Sequence, residues 1–359
     1  MWRAAREGRL AEKLSSPPVV LVGLQALFIL LSTVFSRDPA KSARHLAGIS
    51  LLLLLPIAMD LFDEVRRARA IFLALGASGI ALSLAGFWQF LHGGNDLENR
   101  IRATLSHYMT FSGLVMISGF LLLGFALEGA GRLRWLGLLA VLPLAAMVLT
   151  FTRNAYVGAL AGLVLYLSVR RPWALLLVPP VLAAVFYLSP HSIQSRMLST
   201  TSLKDVTNRD RIAMLHAGAR MIEDRPILGV GPEMVHVYYP LYRDPDAAFW
   251  RVGHLHNNLL QIAASNGLFA AAAYLALMAL FFVRTAKRLH REDRSDRAAL
   301  LAGALMAGAA LFVAGFFEYN WGDTEVEMAT LLVLALPFAR FFAADGERSE
   351  STHEATNPA

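Results

Sequence analysis

The sequence predicts an all-α, polytopic membrane protein with about ten transmembrane helices and one large outward-facing loop that contains a helix. Hydrophobic residues make up 56% of the 359 residues and charged residues only 17%, whereas the charged share of an ordinary soluble domain is near a quarter. Long charge-free runs recur along the chain, and one long polar segment, residues 189–255, interrupts them. These three observations exclude an ordinary soluble globule.

The apolar runs have the length that a spanning helix requires. About 20 helical residues cross a hydrocarbon core of about 30 Å, and a helix satisfies its own backbone polar groups. The clear predicted spans are residues 18–35, 70–91, 107–127, 135–152, 154–169, 172–190, 256–283 and 298–317. Two shorter runs, 45–59 and 327–342, are also interpreted as spans, because snorkelling flanks or local thinning of the bilayer accommodate a short helix.

The chain thus divides into four predicted regions. They are N-terminal transmembrane helices (1–188), a catalytic loop (189–255), C-terminal transmembrane helices (256–342) and a disordered cytoplasmic tail (343–359). No apolar segment with a cleavage site precedes the first span, which we therefore expect to act as its own insertion signal. The chain has no cysteine, so disulfides, thiolate chemistry and Cys-ligated metals are excluded.

The distribution of basic residues predicts the orientation. The net charge is +6, but the Lys and Arg residues follow the short loops of one side, as the positive-inside rule describes, and no nucleic-acid partner is expected. If the N-terminus is cytoplasmic, segments such as 66–69, 132–134, 170–171 and 284–297 lie inside and are rich in Arg. The long loop then faces outward, and both termini are cytoplasmic.

Polar residues near the ends of the spans gather on the predicted outer side, and ionisable groups at membrane level are candidates for function. Arg153 is the strongest case because it lies between two closely spaced spans in T-F-T-R-N-A-Y. Its planar guanidinium suits phosphate; the alternative is an interfacial Arg that snorkels to lipid headgroups. The other candidates on this side are Arg100, Arg102, Arg209, Arg211, His254, His256 and the segment F-F-E-Y-N-W-G-D-T-E-V-E.

The long loop is predicted to contain an amphipathic helix over Asp210–Glu223, capped by Asn208 or Asp210 and ended by Pro226. Its apolar face would comprise Ile212, Leu215, Ala219 and Ile222, with Arg211, His216 and Arg220 elsewhere. Such a helix could present Arg donors to a phosphate at the membrane surface. The alternative is a basic helix that rests on anionic lipid. G-V-G-P is no nucleotide fingerprint, because the strand and helix that define one are missing.

His254 and His256 form an H-x-H pair at the start of a predicted span. No further His, Cys or closely spaced carboxylate joins the pair in sequence, so the metal signal is weak and no metal or cofactor is expected. A neutral imidazole at this boundary suits a proton acceptor; the alternative is a structural His at a helix start. The loop also holds aromatic residues, which suit sugar stacking or an interfacial aromatic belt equally: Tyr238, Tyr239, Tyr242, Phe249 and Trp250.

Several motifs in this order resemble the O-antigen ligase and O-antigen polymerase superfamily. Thr152-Arg153-Asn154-Ala155 closes a span, Arg211 heads a helix that runs into D-x-P-I-L-G-V-G-P, and H-N-N-L-L-Q-I-A-A-S-N-G follows. The early S-R-D-P-A-K-S-A-R-H-L and the late E-Y-N-W-G-D-T-E-V are also similar to that family. The resemblance covers most of the chain, but it does not distinguish between members of the superfamily.

The resemblance implies a multi-pass glycosyltransferase of the bacterial inner membrane whose active site faces the periplasm. Its donor would be a glycan on undecaprenyl pyrophosphate, its acceptor lipid A-core or another glycan or lipid, and it would need neither a nucleotide sugar nor a metal. The family's functional residues correspond to Arg153, Arg211 and His256, two Arg that bind pyrophosphate and one His that acts as general base. Further substrate-binding candidates are Arg102, Arg209, Arg220, His254, Asn257 and Tyr239.

The sequence is also compatible with three other functions. A polymerase of O-antigen or exopolysaccharide would use a second lipid-linked glycan as acceptor, and a protein O-glycosylating transferase is also possible. A transporter of lipid or glycan is the alternative from another class. Transporters place polar groups near the bilayer midplane and often show internal repeats, whereas the charged candidates here gather at one face.

Overall fold

The computed structural model describes residues 10–44, 46–93, 96–189, 194–195, 198 and 206–342, and these residues form helices and no β-strand. The predicted all-α class is thereby confirmed. The predicted tail 343–359 and most of 189–205, the beginning of the predicted loop, lie outside the described residues. The α-helices are α1 (Leu10–Leu14), α2 (Pro17–Val34), α3 (Pro39–Ala43), α4 (Leu46–Leu52), α5 (Leu54–Leu61), α6 (Val65–Leu91), α7 (Tyr108–Glu128), α8 (Leu133–Gly137), α9 (Val141–Leu149), α10 (Arg153–Arg170), α11 (Val178–Leu188), α12 (Val206–Asp224), α13 (Val235–Tyr242), α14 (Asn258–Asn266), α15 (Leu268–Arg291), α16 (Asp296–Ala314) and α17 (Thr324–Ala335).

Six helical segments of the described residues are long and apolar enough to cross a membrane. They are Pro17–Val34, Pro39–Leu61, Val65–Leu91, Tyr108–Glu128, Leu268–Arg291 and Asp296–Ala314. Leu133–Leu149 and Pro172–Leu188 are shorter apolar helices. Large apolar side chains such as Leu27, Leu84 and Trp88 are exposed on these helices, as expected where lipid covers the surface. The chain is a membrane protein, and the count of about ten spans stays a prediction.

The predicted span 256–283 is wrong as a single helix, because the chain breaks at Gly267. Helix α14 ends before this residue and α15 begins after it. Gly267 has a φ of 87°, a conformation that glycine adopts without steric cost. The Leu268 N–H donates to the Pro226 carbonyl at 2.8 Å, so the segment after α12 packs into the break. Helix α14 is thus a short separate helix beside the candidate site.

Helix α16 lies at the centre of the bundle, where most of its residues are buried, and it packs against α7 and α10. The contact with α10 uses small residues: Gly158 lies against Ala310 and Ala314, and Gly162 against Met306 and Ala310. Small residues let two helix backbones approach closely within a membrane. This pairing is antiparallel, so the first residue of α10 lies beside the last turn of α16.

The ends of the helices are sorted into two layers. At one end, Arg170 of α10 donates to Glu128 of α7 at 2.7 Å, and it also reaches the Leu289 carbonyl of α15 at 3.3 Å. Arg69 of α6 pairs with Asp296 of α16 at 2.6 Å in the same layer. At the other end lie the starts of α7 and α10, the end of α16, and helices α12 to α14. The second layer contains the candidate site.

The helix predicted over Asp210–Glu223 exists, but it begins at Val206 and turns a different face to the core. Neither proposed cap is a cap: Asp210 lies within the helix and accepts from the backbone N–H groups of Ala248 and Phe249 at 2.9 and 3.2 Å. Ile212 and Leu215, which belong to the predicted apolar face, are exposed. The buried residues instead are Ala213, Met214, Ala217 and Met221.

Candidate active site

The first part of the candidate site is a cavity of about 420 Å³, named here the arginine cavity. Arg153, Arg211 and His256 all line it. Its remaining wall is mostly apolar and contains Asn154, Val157, Asn208, Ile212, Leu215, Leu255, Phe316 and Phe317. Ile212 and Leu215 of α12 are exposed because they line this cavity instead of packing against the protein core.

Three elements position the charged groups of the arginine cavity. Arg153 is the first residue of α10 and its side chain is only 6% exposed, so it is held within the protein rather than snorkelling to lipid. The α10–α16 contact places it beside Phe316 and Phe317, which follow α16. Arg211 lies on α12, which packs against α14 through Gly218 and Leu260. Two guanidinium groups on an otherwise apolar wall suit a diphosphate with an apolar tail.

His256 lies between α12 and α16 and has an unusual backbone. Its φ is 47°, a region that non-glycine residues rarely occupy and that costs on the order of 1–3 kcal/mol. The His256 Nδ1 atom lies 2.9 Å from Glu318 Oε2. Because a carboxylate accepts, Nδ1 carries the hydrogen and Nε2 remains the acceptor. The pairing thus orients the ring with the tautomer that a general base requires.

Glu318 belongs to the candidate segment F-F-E-Y-N-W-G-D-T-E-V-E, but its pairing with His256 was not predicted from the sequence. It follows α16, is 6% exposed, and receives hydrogen bonds from His256 and from the Tyr319 backbone N–H at 3.1 Å. Burial alone would raise the pKa of Glu318, but the hydrogen bond from His256 and the proximity of both imidazoles hold that pKa below its usual value. The group is therefore a buried carboxylate at neutral pH.

His254 contacts the same carboxylate from the other side. Its Nε2 lies 3.4 Å from Glu318 Oε1, and its Nδ1 accepts from the His256 backbone N–H at 3.3 Å. Burial lowers the pKa of His254, which favours a neutral ring. No carboxylate lies near the H-x-H pair in sequence, but Glu318 joins the pair in the fold. Ligand atoms of His254, His256 and Glu318 lie within 4.8 Å of one another. The three could hold a cation, although their hydrogen bonds already satisfy one another.

A second cavity of about 390 Å³, named here the polar cavity, adjoins the arginine cavity at His256. His256 lines both cavities. The polar cavity is formed by the start of α7, the segment that follows G-V-G-P, and the loop that links α16 with α17. The E-Y-N-W-G-D motif contributes Glu318, Tyr319, Asn320, Gly322 and Asp323 to its wall. The candidate site therefore has two chambers, and His256 lines both of them.

A family model described as O-antigen ligase matches residues 138–275. Residues 138–275 are similar to an O-antigen ligase domain. The predicted resemblance to the O-antigen ligase superfamily is confirmed. The match supports the function of a transferase that acts on lipid-linked glycans. No curated protein matches the chain. The matched region contains Arg153, Arg211, His254 and His256, whereas Glu318 lies beyond it.

Within the matched region, the H-N-N motif ties α14 to the loop after α16. Asn258 is buried; its side chain donates to Asn320 at 2.7 Å and accepts from the Trp321 backbone N–H at 3.0 Å. Asn257, a substrate-binding candidate, caps α14 by accepting from the Leu260 N–H at 2.9 Å and donates to the Phe316 carbonyl at 3.1 Å. Both asparagines thus hold the segment that carries Glu318 against the segment that carries His256.

The S-R-D-P and G-V-G-P motifs also pack together near the site. Ser32 donates to the Ser265 carbonyl at 2.6 Å, and Ser42 donates to the Pro232 carbonyl at 2.8 Å. Gly231 has a φ of 107° and a Cβ there would meet Ser36. The Gly231 N–H donates to the Ser265 carbonyl at 2.9 Å. These motifs fix the end of α14, and Pro232 also lines the polar cavity.

Among the other substrate-binding candidates, four line neither chamber: Arg102, Arg209, Arg220 and Tyr239. Arg209 is exposed on α12, and Arg220 bonds the Tyr242 carbonyl and Asp244, both at 2.7 Å. Tyr239 is fully buried beside Met214 and Met234. Arg102 lines a separate cavity of about 590 Å³ that shares His107 with the polar cavity. Their substrate contacts stay predictions, and only His254 of this set lines the polar cavity.

Proposed function

We propose that the protein transfers a glycan from undecaprenyl pyrophosphate to a surface acceptor such as lipid A-core, as an O-antigen ligase does. The observation that carries the proposal is the meeting of Arg153, Arg211 and His256 at one cavity, although they come from three separate segments of the chain. A diphosphate needs cations, a transferase needs a base, and this cavity supplies both. We infer that undecaprenyl pyrophosphate is also the leaving group.

The arginine cavity suits the donor in charge and in polarity. Arg153 and Arg211 can each offer a planar fork of N–H donors to phosphate oxygens. Ile212, Leu215, Phe316 and other apolar wall residues can accommodate the first part of a prenyl chain. A charge-assisted contact on such a low-polarity wall stabilises a leaving pyrophosphate more strongly than the same contact in water.

The proposed step is a displacement at the anomeric carbon of the donor glycan. The acceptor hydroxyl oxygen forms a bond to that carbon, and the bond between the carbon and the phosphate oxygen breaks. Undecaprenyl pyrophosphate leaves with the electron pair, and Arg153 and Arg211 compensate its charge. The hydroxyl proton moves to Nε2 of His256, while Glu318 holds Nδ1–H and stabilises the imidazolium that forms.

A reconstituted assay tests this proposal. Purified protein in proteoliposomes is mixed with an undecaprenyl pyrophosphate-linked glycan and lipid A-core, with no transmembrane gradient. We expect glycosylated lipid A-core and free undecaprenyl pyrophosphate in equal amounts. Release without a glycosylated product would contradict transfer. Movement of donor lipid across the bilayer without any covalent product would indicate the transporter instead.

The polymerase of the same superfamily is distinguished in cells. Loss of the gene should leave uncapped lipopolysaccharide and accumulated long polymer on undecaprenyl pyrophosphate if the protein is a ligase. Lipopolysaccharide capped by a single repeat would identify a polymerase. The two outcomes differ because the polymerase extends the lipid-linked glycan before any ligation takes place.

We further propose that both chambers face the periplasm and that the protein resides in the inner membrane. The absence of native cysteine makes single-cysteine labelling clean. Asp246→Cys, in the segment before His254, should react with a membrane-impermeant thiol reagent in spheroplasts. Asp293→Cys, in the opposite layer between α15 and α16, should react only after lysis. Reversed labelling would overturn the orientation.

A further inference from the structure

We propose that the polar cavity binds the acceptor sugar and that its charge selects neutral or amino sugars over anionic ones. This inference rests on the proposed function, since it gives the acceptor the chamber opposite the donor. It names a chemical class for the acceptor, whereas the family match gives only a glycan or lipid. The sugar class follows from the side chains that form the wall.

The two chambers have opposite charges. Among the described residues of the arginine cavity wall, Arg153 and Arg211 are charged and no carboxylate is present. The described wall of the polar cavity has three carboxylates and no Arg or Lys: Glu233, Glu318 and Asp323. Lys41 contacts His236, one of the lining residues, at 3.0 Å. An anionic donor and an anionic acceptor would thus find only one favourable chamber.

The wall of the polar cavity offers hydrogen-bond acceptors in the number that a polyhydroxylated ligand needs. The buried Oδ1 atom of Asn266, which is one of the lining residues, has no hydrogen-bond partner in the described structure. A buried carbonyl oxygen without a partner is costly. A rotation of the Asn266 amide into the cavity would bring this oxygen to a sugar hydroxyl, and the Glu233 and Asp323 carboxylates of the wall offer further acceptors.

The position of His256 joins the two chambers into one reaction site. Because this imidazole lines both walls, a hydroxyl held in the polar cavity meets the proposed base directly. The anomeric carbon of a donor held in the arginine cavity then meets that hydroxyl beside the imidazole that both walls share. An acceptor bound in the arginine cavity would instead compete with the diphosphate.

The buried carboxylate next to His256 disfavours an anionic sugar at this position. The pKa of Glu318 lies below its usual value because of its histidine partners, so the group stays charged at neutral pH. A sugar carboxylate or phosphate within a few ångströms would meet like charge in a partly desolvated space. An ammonium group would meet opposite charge there.

Binding of three simple sugars tests the inference independently of catalysis. Methyl glucoside, methyl glucosaminide and methyl glucuronide differ in charge at a common ring, and saturation-transfer NMR on the full-length protein in nanodiscs measures their Kd. We expect the glucuronide to bind about tenfold more weakly than the other two, which corresponds to about 1.4 kcal/mol. Glu233→Lys should improve glucuronide binding about tenfold. Equal binding of all three sugars would overturn the inference.

The control is Glu223→Lys, which makes the same change of charge on an exposed residue that lines neither chamber. It should preserve the order of the three sugars. If Glu233→Lys fails to fold, Asp323→Asn carries the test, and it should reduce the discrimination against glucuronide. Undecaprenyl pyrophosphate binding should be unchanged in all three variants. A variant that loses undecaprenyl pyrophosphate binding but keeps normal sugar binding would contradict the assignment of the acceptor sugar to the polar cavity.

Failure of the inference is distinguishable from failure of the proposed function. If the wild-type protein discriminates between the sugars as expected but forms no product from the lipid-linked donor, the proposed function fails and the sugar site stands. If the wild-type protein forms product but Glu233→Lys and Asp323→Asn leave sugar binding unchanged, the polar cavity is not the acceptor site.

Discussion

The arginine cavity and the polar cavity share one imidazole but differ in almost every other respect. The arginine cavity has two guanidinium groups on an apolar wall, whereas the polar cavity has carboxylates, imidazoles and amides. The same histidine thus belongs to a cavity suited to a charged leaving group and to a cavity suited to a hydroxyl. Substitutions at the shared residue and within each cavity should therefore have different effects.

The largest effect is expected at the shared residue. His256→Ala should reduce glycan transfer by about 10²–10⁴-fold, the range typical of a positioned general base. Binding of undecaprenyl pyrophosphate should remain, because Arg153 and Arg211 are unchanged. His254→Ala is the matched control, since it also contacts Glu318 but lines only the polar cavity. A dead His254→Ala with an active His256→Ala would reverse the assignment, and two active variants would exclude proton transfer to either ring.

The next effect is expected in the arginine cavity. Arg153→Lys keeps the charge but removes the planar fork, so turnover should fall by about 100-fold. The Kd for undecaprenyl pyrophosphate should rise, whereas sugar binding in the polar cavity should not change. Arg134→Lys, at an exposed position that lines neither chamber, is the control. A variant with normal donor binding and normal turnover would exclude Arg153 from the pyrophosphate site.

The third effect concerns Glu318, which we expect to act as a positioning residue. Glu318→Gln preserves an acceptor for His256 but removes the charge, and a hydrogen bond to a charged group contributes about 1.5–3 kcal/mol. We therefore expect kcat to fall by about tenfold with little change in the donor KM. Glu318→Ala should be less active than Glu318→Gln, and Glu318→Asp should retain more activity than either. A merely structural role would instead lower the yield of folded protein without a specific loss of kcat.

The sequence predicted the parts of this arrangement that are local. Arg153 could be found because it is a charge between two apolar runs, and His256 because it opens a polar motif before another. The all-helical class followed from the same apolar runs. What these signals share is that each can be recognised within about one helix length of chain.

The remaining features depend on contacts between distant segments. Glu318 lies 62 residues after His256, and nothing in the local sequence pairs them. Periodicity indicated an apolar face on α12, but it could not show that Ile212 and Leu215 line a cavity while Met214 and Met221 are buried. The break at Gly267 depends on the Pro226 carbonyl that bonds Leu268, so a hydropathy count merges α14 with α15.

The smallest expected effect is on the pH dependence of the polar cavity. Asp323 accepts from the Thr110 hydroxyl at 2.5 Å, but its burial, together with Glu325 and Glu318 nearby, raises its pKa to about 6. The carboxyl is therefore charged above about pH 6 and neutral below it. We expect methyl glucosaminide to bind about threefold more weakly as the pH falls through this value, because a partly exposed charge contributes little. The amine of the sugar stays protonated over that range and cannot cause the loss. Imidazoles also ordinarily titrate near this pH, so Asp323→Asn is the deciding comparison: it should flatten the profile, and a profile that keeps its slope in this variant would assign the pH dependence to the histidines of the polar cavity instead.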